Sequence, residues 1–334
     1  MSGRSLEARL KAVQACADVD VAEARPQLVK ALRGKTAVIV AAAARIAANR
    51  YMSDLLPELE AALERFFDLP GDKDAGCLAK AALVTACDDL ESQTIDLFLR
   101  GVVCVQLEPV WGGQEDRAAG TRARSLMALF RLRHHQAILE ATRLLADPWP
   151  AARIGAARAI ANGSPLPGVP LLRYKALIGD DDPRVTEEAL GSLLALDPDD
   201  SLDFVANLLA SSDGTVADMA AMALGESRLE SACDPLIARV ESLASDPLLS
   251  RTSGPMRVAL VALAVLRRPR ATQYLIGLVR QAPSGQAIGA IEALAPFSYH
   301  RDLANQVREA VHARPEDDRA SVLVAHDEAF GPDS

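Results

Sequence analysis

A chain of 334 residues is about twice the size of a usual single-core domain, which leaves a barrel, a repeat array or several domains. Its 61 Ala and 46 Leu against 13 aromatic residues argue against an all-β fold, because strand-favouring side chains are scarce. An apolar content of 50% excludes disorder away from the ends, and a net charge of −9 disfavours broad binding to duplex nucleic acid.

In chain order, residues 1–18 read as an N-terminal capping helix and 19–313 as the repeat body. The start, Met1-Ser2-Gly3-Arg4-Ser5, runs straight into mixed charged sequence. It offers no apolar stretch for a secretory signal. Helices are predicted at about 21–33, 36–49, 53–68, 74–88 and 92–104, in pairs. A long connection at 102–114 follows. From there the pattern sharpens. Glu115-Asp116-Arg117, Asp147-Pro148-Trp149-Pro150, Asp182-Pro183-Arg184-Val185, Ser212-Asp213-Gly214-Thr215-Val216 and Pro283-Ser284-Gly285 each open a helix. Asp or Ser at such a point caps free N–H groups, and Pro suits the first turn. The last segment, 314–334, is acidic and reads as a cap followed by a frayed end.

Inside the helices that follow these turns, small residues recur at i, i+4, i+7 and i+8. Ala152, Ala156, Ala159 and Ile160 form one set, Val185, Ala189, Ser192 and Leu193 another, and Val216, Ala220, Ala223 and Leu224 a third. This spacing makes a single narrow stripe that lets helices approach closely. Helices with larger apolar residues alternate with them, for example 137–145 and 169–178. The landmarks Asp116, Pro150, Pro183, Gly214, Gly254 and Gly285 are 34, 33, 31, 40 and 31 residues apart. Two helices per period of this length predict an all-α fold, an α-α superhelix of about eight helical hairpins. Residues 20–313 are expected to be nearly all helix, with no sheet.

The turn-plus-helix segments 182–194, 213–224 and 152–160 resemble HEAT repeats of the bacterial short-repeat kind, which also occurs in phycobilisome lyases. The resemblance implies a HEAT/armadillo-like solenoid. It also implies Asp in the turn and Arg shortly after it. Arg153 fits that Arg position, whereas Thr186 and Ala217 depart from it, so a ladder of Asp–Arg contacts between repeats would be partial.

Motifs of catalysis are missing. There is no P-loop, no H-E-x-x-H, no G-x-S-x-G and no G-x-G-x-x-G. His134-His135 falls between predicted helices and reads as a polar turn rather than a metal pair. Cys16, Cys77, Cys87, Cys104 and Cys233 sit in apolar stretches with no C-x-x-C spacing, as small hydrophobes in a reducing cytoplasm would. The longest uncharged apolar run, 258–266, is nine residues, far short of the roughly 20 that span a bilayer. No enzyme activity, cofactor or metal is expected.

One region draws a functional reading. The 102–114 connection holds Pro109, Trp111 and Gly112-Gly113, and the second tryptophan, Trp149, precedes the equivalent helix one repeat on. Long loops on rigid frames commonly carry function. Residues 117–158 hold eight arginines against two acids, a local +6. Arg117, Arg124 and Arg131, spaced by seven, are expected to form a stripe on one flank of a helix, with Arg153 near the start of the next. Trp111, Arg117, Arg124, Arg131, Trp149 and Arg153 are therefore the candidate partner-binding residues. Arginine suits carboxylates and phosphates.

The first functional class is a non-catalytic scaffold for a protein partner, with an acidic segment on the Arg/Trp surface. A second is a nucleic-acid-binding or HEAT-like DNA glycosylase-type protein, with Trp111, Trp149 and Asp116 in the aromatic and acidic roles. A third, carried by the resemblance alone, is a bilin-lyase-like subunit. A charge of −9 weighs against the second. Nothing in the sequence speaks to oligomeric state.

Overall fold

The computed structural model describes residues 3–245 and 254–331; Met1, Ser2 and the last three residues, Asp333 among them, lie outside. The chain divides into two compact units, Met1–Leu171 and Leu172–Ser334.

In the first unit α1 (Gly3–Gln14), α2 (Val21–Leu32), α3 (Ala37–Asn49), α4 (Leu56–Asp68), α5 (Leu78–Asp89) and α6 (Ile95–Val102) run as antiparallel pairs. Then come β1 (Leu107–Val110) and β2 (Gly113–Asp116), followed by α7 (Ala119–Arg131), α8 (Ala137–Leu145) and α9 (Pro150–Ile160). The division between units falls inside α10 (Pro165–Ile178). The odd-numbered helices α1, α3, α5, α7 and α9 stack on one another in one layer, and α2, α4 and α6 form a second.

The second unit repeats the scheme. It comprises α11 (Pro183–Leu196), α12 (Pro198–Leu208), α13 (Gly214–Ser227), α14 (Cys233–Ser245), α15 (Gly254–Leu266), α16 (Pro269–Gln281), α17 (Ser284–Leu294), α18 (Arg301–His312) and α19 (Glu316–Phe330). Its odd helices stack successively, and α14, α16 and α18 form the other layer. Arg314 ties α19 to the stack by donating to the carbonyls of Val279 and Ala282. Among the described residues no helix is long and apolar enough to cross a membrane.

The small-residue stripe is the contact surface of the odd layer. Ala156, Ala189 and Ala220 are fully buried, as the spacing predicts. Closeness is tightest where glycine sits. A Cβ on Gly155 of α9 would stand 2.1 Å from Cβ of Ala123 on α7, and one on Gly225 of α13 would stand 2.8 Å from Cα of Ala262 on α15. Interiors are packed too densely to yield that space cheaply. The turn acids act as caps. Asp182 accepts from the N–H of Arg184, and Asp213 from that of Thr215.

Three odd helices end in the same device. Beyond α3, α5 and α7 the residues Tyr51, Glu91 and Arg133 take φ of 51°, 59° and 52°. After α7 the N–H of His134 reaches the carbonyl of Leu129, and that of Arg133 reaches Phe130. The same pair of bonds closes α3 and α5. This is the Schellman arrangement, with a non-glycine residue in the left-handed position.

The sequence expectation of no sheet fails at one place. The 102–114 connection folds as an antiparallel hairpin, Val110 opposite Gly113 and Leu107 opposite Asp116. Gly112 takes φ +90° in the turn, which glycine tolerates without cost. Arg117, expected inside the helix, instead extends the hairpin by donating its N–H to the carbonyl of Gln106.

Candidate interaction site

The hairpin stands at the head of α7 on a buried polar base. Arg122, on the first turn of α7, is 1% exposed. Its guanidinium grips both oxygens of Asp147 at 3.0 Å, binds Asp116, and donates to the carbonyl of Cys104 at 2.7 Å. Asp116 also accepts from the N–H groups of Gln106 and Ala118, both at 2.9 Å. Burial opposes ionisation of Asp116. The two backbone donors and Arg122 outweigh it and hold the carboxyl below the usual range. Asp147 in turn accepts from the N–H of Trp149 at 2.9 Å and so shapes the turn into α9.

A second set of contacts fixes the hairpin to the start of α5. Gln106 bonds Lys80, the carbonyl of Asp74 and Glu108, and Glu108 accepts from the N–H of Gly76. Asp74 accepts from the N–H groups of Ala79 and Lys80. Lys80, Asp74 and Gly76 lie 26 to 32 residues from their hairpin partners in sequence, so only the fold assembles them. Sequence reasoning counted Arg122 among the eight arginines and Gln106 within the long connection, but singled out neither. A visible clue existed for the hairpin itself, since the turn between the two four-residue strands is Trp111-Gly112, with glycine at the positive-φ position and a second glycine, Gly113, directly after it.

With even-numbered residues of 104–108 turned inward, the odd ones face solvent. Val103, Val105, Leu107 and Trp111 are all exposed, Trp111 at 103%. Pro109 is exposed among them. The result is an apolar strip on a rigid base.

The remaining sequence-predicted site residues separate. Arg117 is exposed and pairs with Glu115 at 3.1 Å. Arg124 and Arg131 both pair with the buried Asp88 of α5, at 2.7 and 2.8 Å, and Arg124 also binds Asp89. Arg131 further donates to the carbonyl of Ser92 at 3.0 Å. The local +6 of the sequence is thus offset by acids brought from another repeat. Arg153 departs from the expected surface band. It is 6% exposed and donates to the carbonyls of Asp147 and Pro148. Trp149 is half-buried beside the N-terminus of α9, whereas Trp111 stands free. Asp116, offered as the acid of a glycosylase-type site, is buried in an ion pair with Arg122 and has no open face toward a substrate. Among the described residues no group of three or more His, Cys, Asp or Glu could hold a metal ion.

Stacked helical hairpins with capped turns and a small-residue seam define an α-solenoid type of protein. Residues 170–251 match the family model of HEAT repeats, so this segment of the chain carries HEAT repeats. A search of the curated proteins finds no match. Among solved structures, an engineered protein is similar over 97% of this chain and 95% of its own, at 17% identity and a TM-score of 0.38. A mutant of Kap121p is similar at 12% identity and a TM-score of 0.47; the similarity covers 99% of this chain but 41% of Kap121p. The CpcE–CpcF complex of phycocyanin lyase from Nostoc sp. PCC7120 is similar over 86% of this chain and 92% of its own, at 16% identity and a TM-score of 0.34.

Proposed function

We propose that this protein is a non-catalytic scaffold that holds a protein partner through the strip formed by Val103, Val105, Leu107, Pro109 and Trp111. The observation that carries the reading is Trp111, a full-size indole left entirely in water at the tip of a hairpin whose base is locked by buried ion pairs. Exposed apolar patches on rigid frames mark interaction surfaces, and tryptophan is enriched among the residues that dominate binding. A preorganised hairpin loses little conformational freedom on docking. Arg117 lies at the foot of the hairpin, paired with half-buried Glu115, so an acidic side chain on the partner can replace that contact. An acidic partner segment is therefore retained, with Arg117 rather than an arginine band as its contact. Five free thiols suit a reducing compartment such as the cytoplasm.

The test is affinity capture from the native host with the intact chain as bait, read by mass spectrometry. Wild type is compared with Trp111→Ala and with Arg117→Glu. A partner lost with Trp111→Ala and weakened with Arg117→Glu, at unchanged melting temperature, is the expected result. Partners captured equally by all three chains would overturn the reading.

A further inference from the structure

At the opposite end of α7 from the hairpin lies a cavity of about 760 Å³, within the range of small-ligand pockets. It is bounded by the last turn of α7, the start of α8 and the turn between α9 and α10. Nothing about the hairpin surface requires it.

Its polar lining is unusual for this molecule. Most arginines near α7 are engaged, yet the Arg133 guanidinium makes no hydrogen bond or ion pair among the described residues. The Schellman turn fixes its backbone at φ 52° and presents the side chain at the cavity. His134, next along, also lines the cavity; its Nδ1 is shut off from solvent, and its Nε2 is the nitrogen left to face a ligand. The His135 ring lies 4.5 Å from that of His134, and Ser164 lines the same space. The one acid in the lining, Asp88, is already neutralised by Arg124 and Arg131. Two helix N-termini, those of α8 at Ala137 and α10 at Pro165, begin at the cavity and add positive potential. The rest of the wall is apolar, with Met127, Phe130, Ile138 and Pro167.

We propose that the cavity at the C-terminal end of α7 binds a small aromatic phosphate monoester, its phosphate held by Arg133, His134 and Ser164 and its ring against Phe130 and Ile138. A phosphate fits because Arg133, His134 and Ser164, whose side chains have no hydrogen-bond partner among the described residues, line one cavity whose single acid is already paired. Arginine meets phosphate through two parallel bonds, and a histidine N–H and a hydroxyl supply single donors. The apolar wall beside the donors accepts a ring, which inorganic phosphate lacks. This reading is independent of the hairpin's role.

Isothermal titration of the full chain at low salt uses phenyl phosphate, inorganic phosphate and benzoate as probes. Phenyl phosphate should bind saturably at one site, and more tightly than either of the others. Arg133→Gly is the decisive variant. It removes the cation while placing the residue that best tolerates the left-handed backbone, so the melting temperature should stay level or rise. Binding of phenyl phosphate should nevertheless weaken about tenfold or more, the range for losing a charge-assisted bond. His134→Phe should weaken it too, and Trp111→Ala should leave it unchanged. No saturable binding, equal affinity for benzoate, or an Arg133→Gly chain that binds as well as wild type would overturn the proposal.

Discussion

The two ends of α7 treat their arginines in opposite ways. Arg122, on the first turn, is buried and has a partner for its guanidinium in Asp116, in Asp147 and in the Cys104 carbonyl. Arg133, about 16 Å further along at helical rise, has none among the described residues. A buried cation must be matched locally, because desolvation is repaid only by close carboxylates and carbonyls. A cation at a cavity mouth carries no such demand, since water solvates it. The lesson is that the same residue type, on the same helix, organises structure at one end and stays available at the other. Position relative to solvent decides which.

The largest expected effect breaks the closed end. Arg122→Met leaves the Asp116 and Asp147 carboxylates buried without their cation and should cost about 3–5 kcal/mol. Chemical denaturation followed by circular dichroism measures it. Arg133→Gly, run alongside, should not lower the denaturation midpoint. If both variants behave alike, the contrast between the ends is wrong.

Next in size is the seam that joins the two ends. Gly155→Ala places a methyl 2.1 Å from Cβ of Ala123, so α7 and α9 must part. A loss of about 1–3 kcal/mol is expected, read by thermal melting. An unchanged midpoint would show that the seam yields without strain.

A smaller effect appears in acid. The Asp116 carboxyl is held below its usual range in the folded chain. Its contribution is complete above the unfolded value, about 3.9, and is lost as pH falls through the lower folded value. Stability measured from pH 7 downward should therefore fall less steeply in Asp116→Asn, which has no such proton to take up. Parallel acid limbs for the two chains would show that Asp116 is not what acid attacks first.

The smallest effect leaves stability alone. At the hairpin base the neighbouring Cys77 and Cys104 thiols act on each other, which holds Cys104 below the usual thiol range and, together with burial, pushes Cys77 up. Cys104 is half-buried, whereas Cys16, Cys77, Cys87 and Cys233 are buried. Iodoacetamide near neutral pH should label Cys104 first, with a rate that rises at lower pH than for a free thiol. Peptide mapping reads the order, and Cys87 or Cys233 labelling first would contradict it.

Local pattern determined much of this molecule. The small-residue stripe and the 31–40 residue period made the helical pairs legible, because a 3.6-residue repeat and close helix approach are properties of sequence alone. The turn acids Asp182 and Asp213 were legible as caps for the same reason. Trp111 was legible as a singular aromatic in a long connection. The ends of α3, α5 and α7 were not sharply marked, since Tyr51, Glu91 and Arg133 occupy a position where glycine is the usual signal.

What only the tertiary structure decided is which charges are spent. In sequence, Arg122, Arg124, Arg131, Arg133 and Arg153 look alike. Asp88 and Asp89 lie more than 30 residues from Arg124 and quench it only because α5 and α7 stack. Arg153 points inward because carbonyls of the preceding turn face it. Lys80 and Gln106 meet only because the 104–116 segment folds back over the start of α5. Helix formation is a local property with short period, so sequence holds it. Charge pairing depends on distance and desolvation across the stack, and no single segment contains that information.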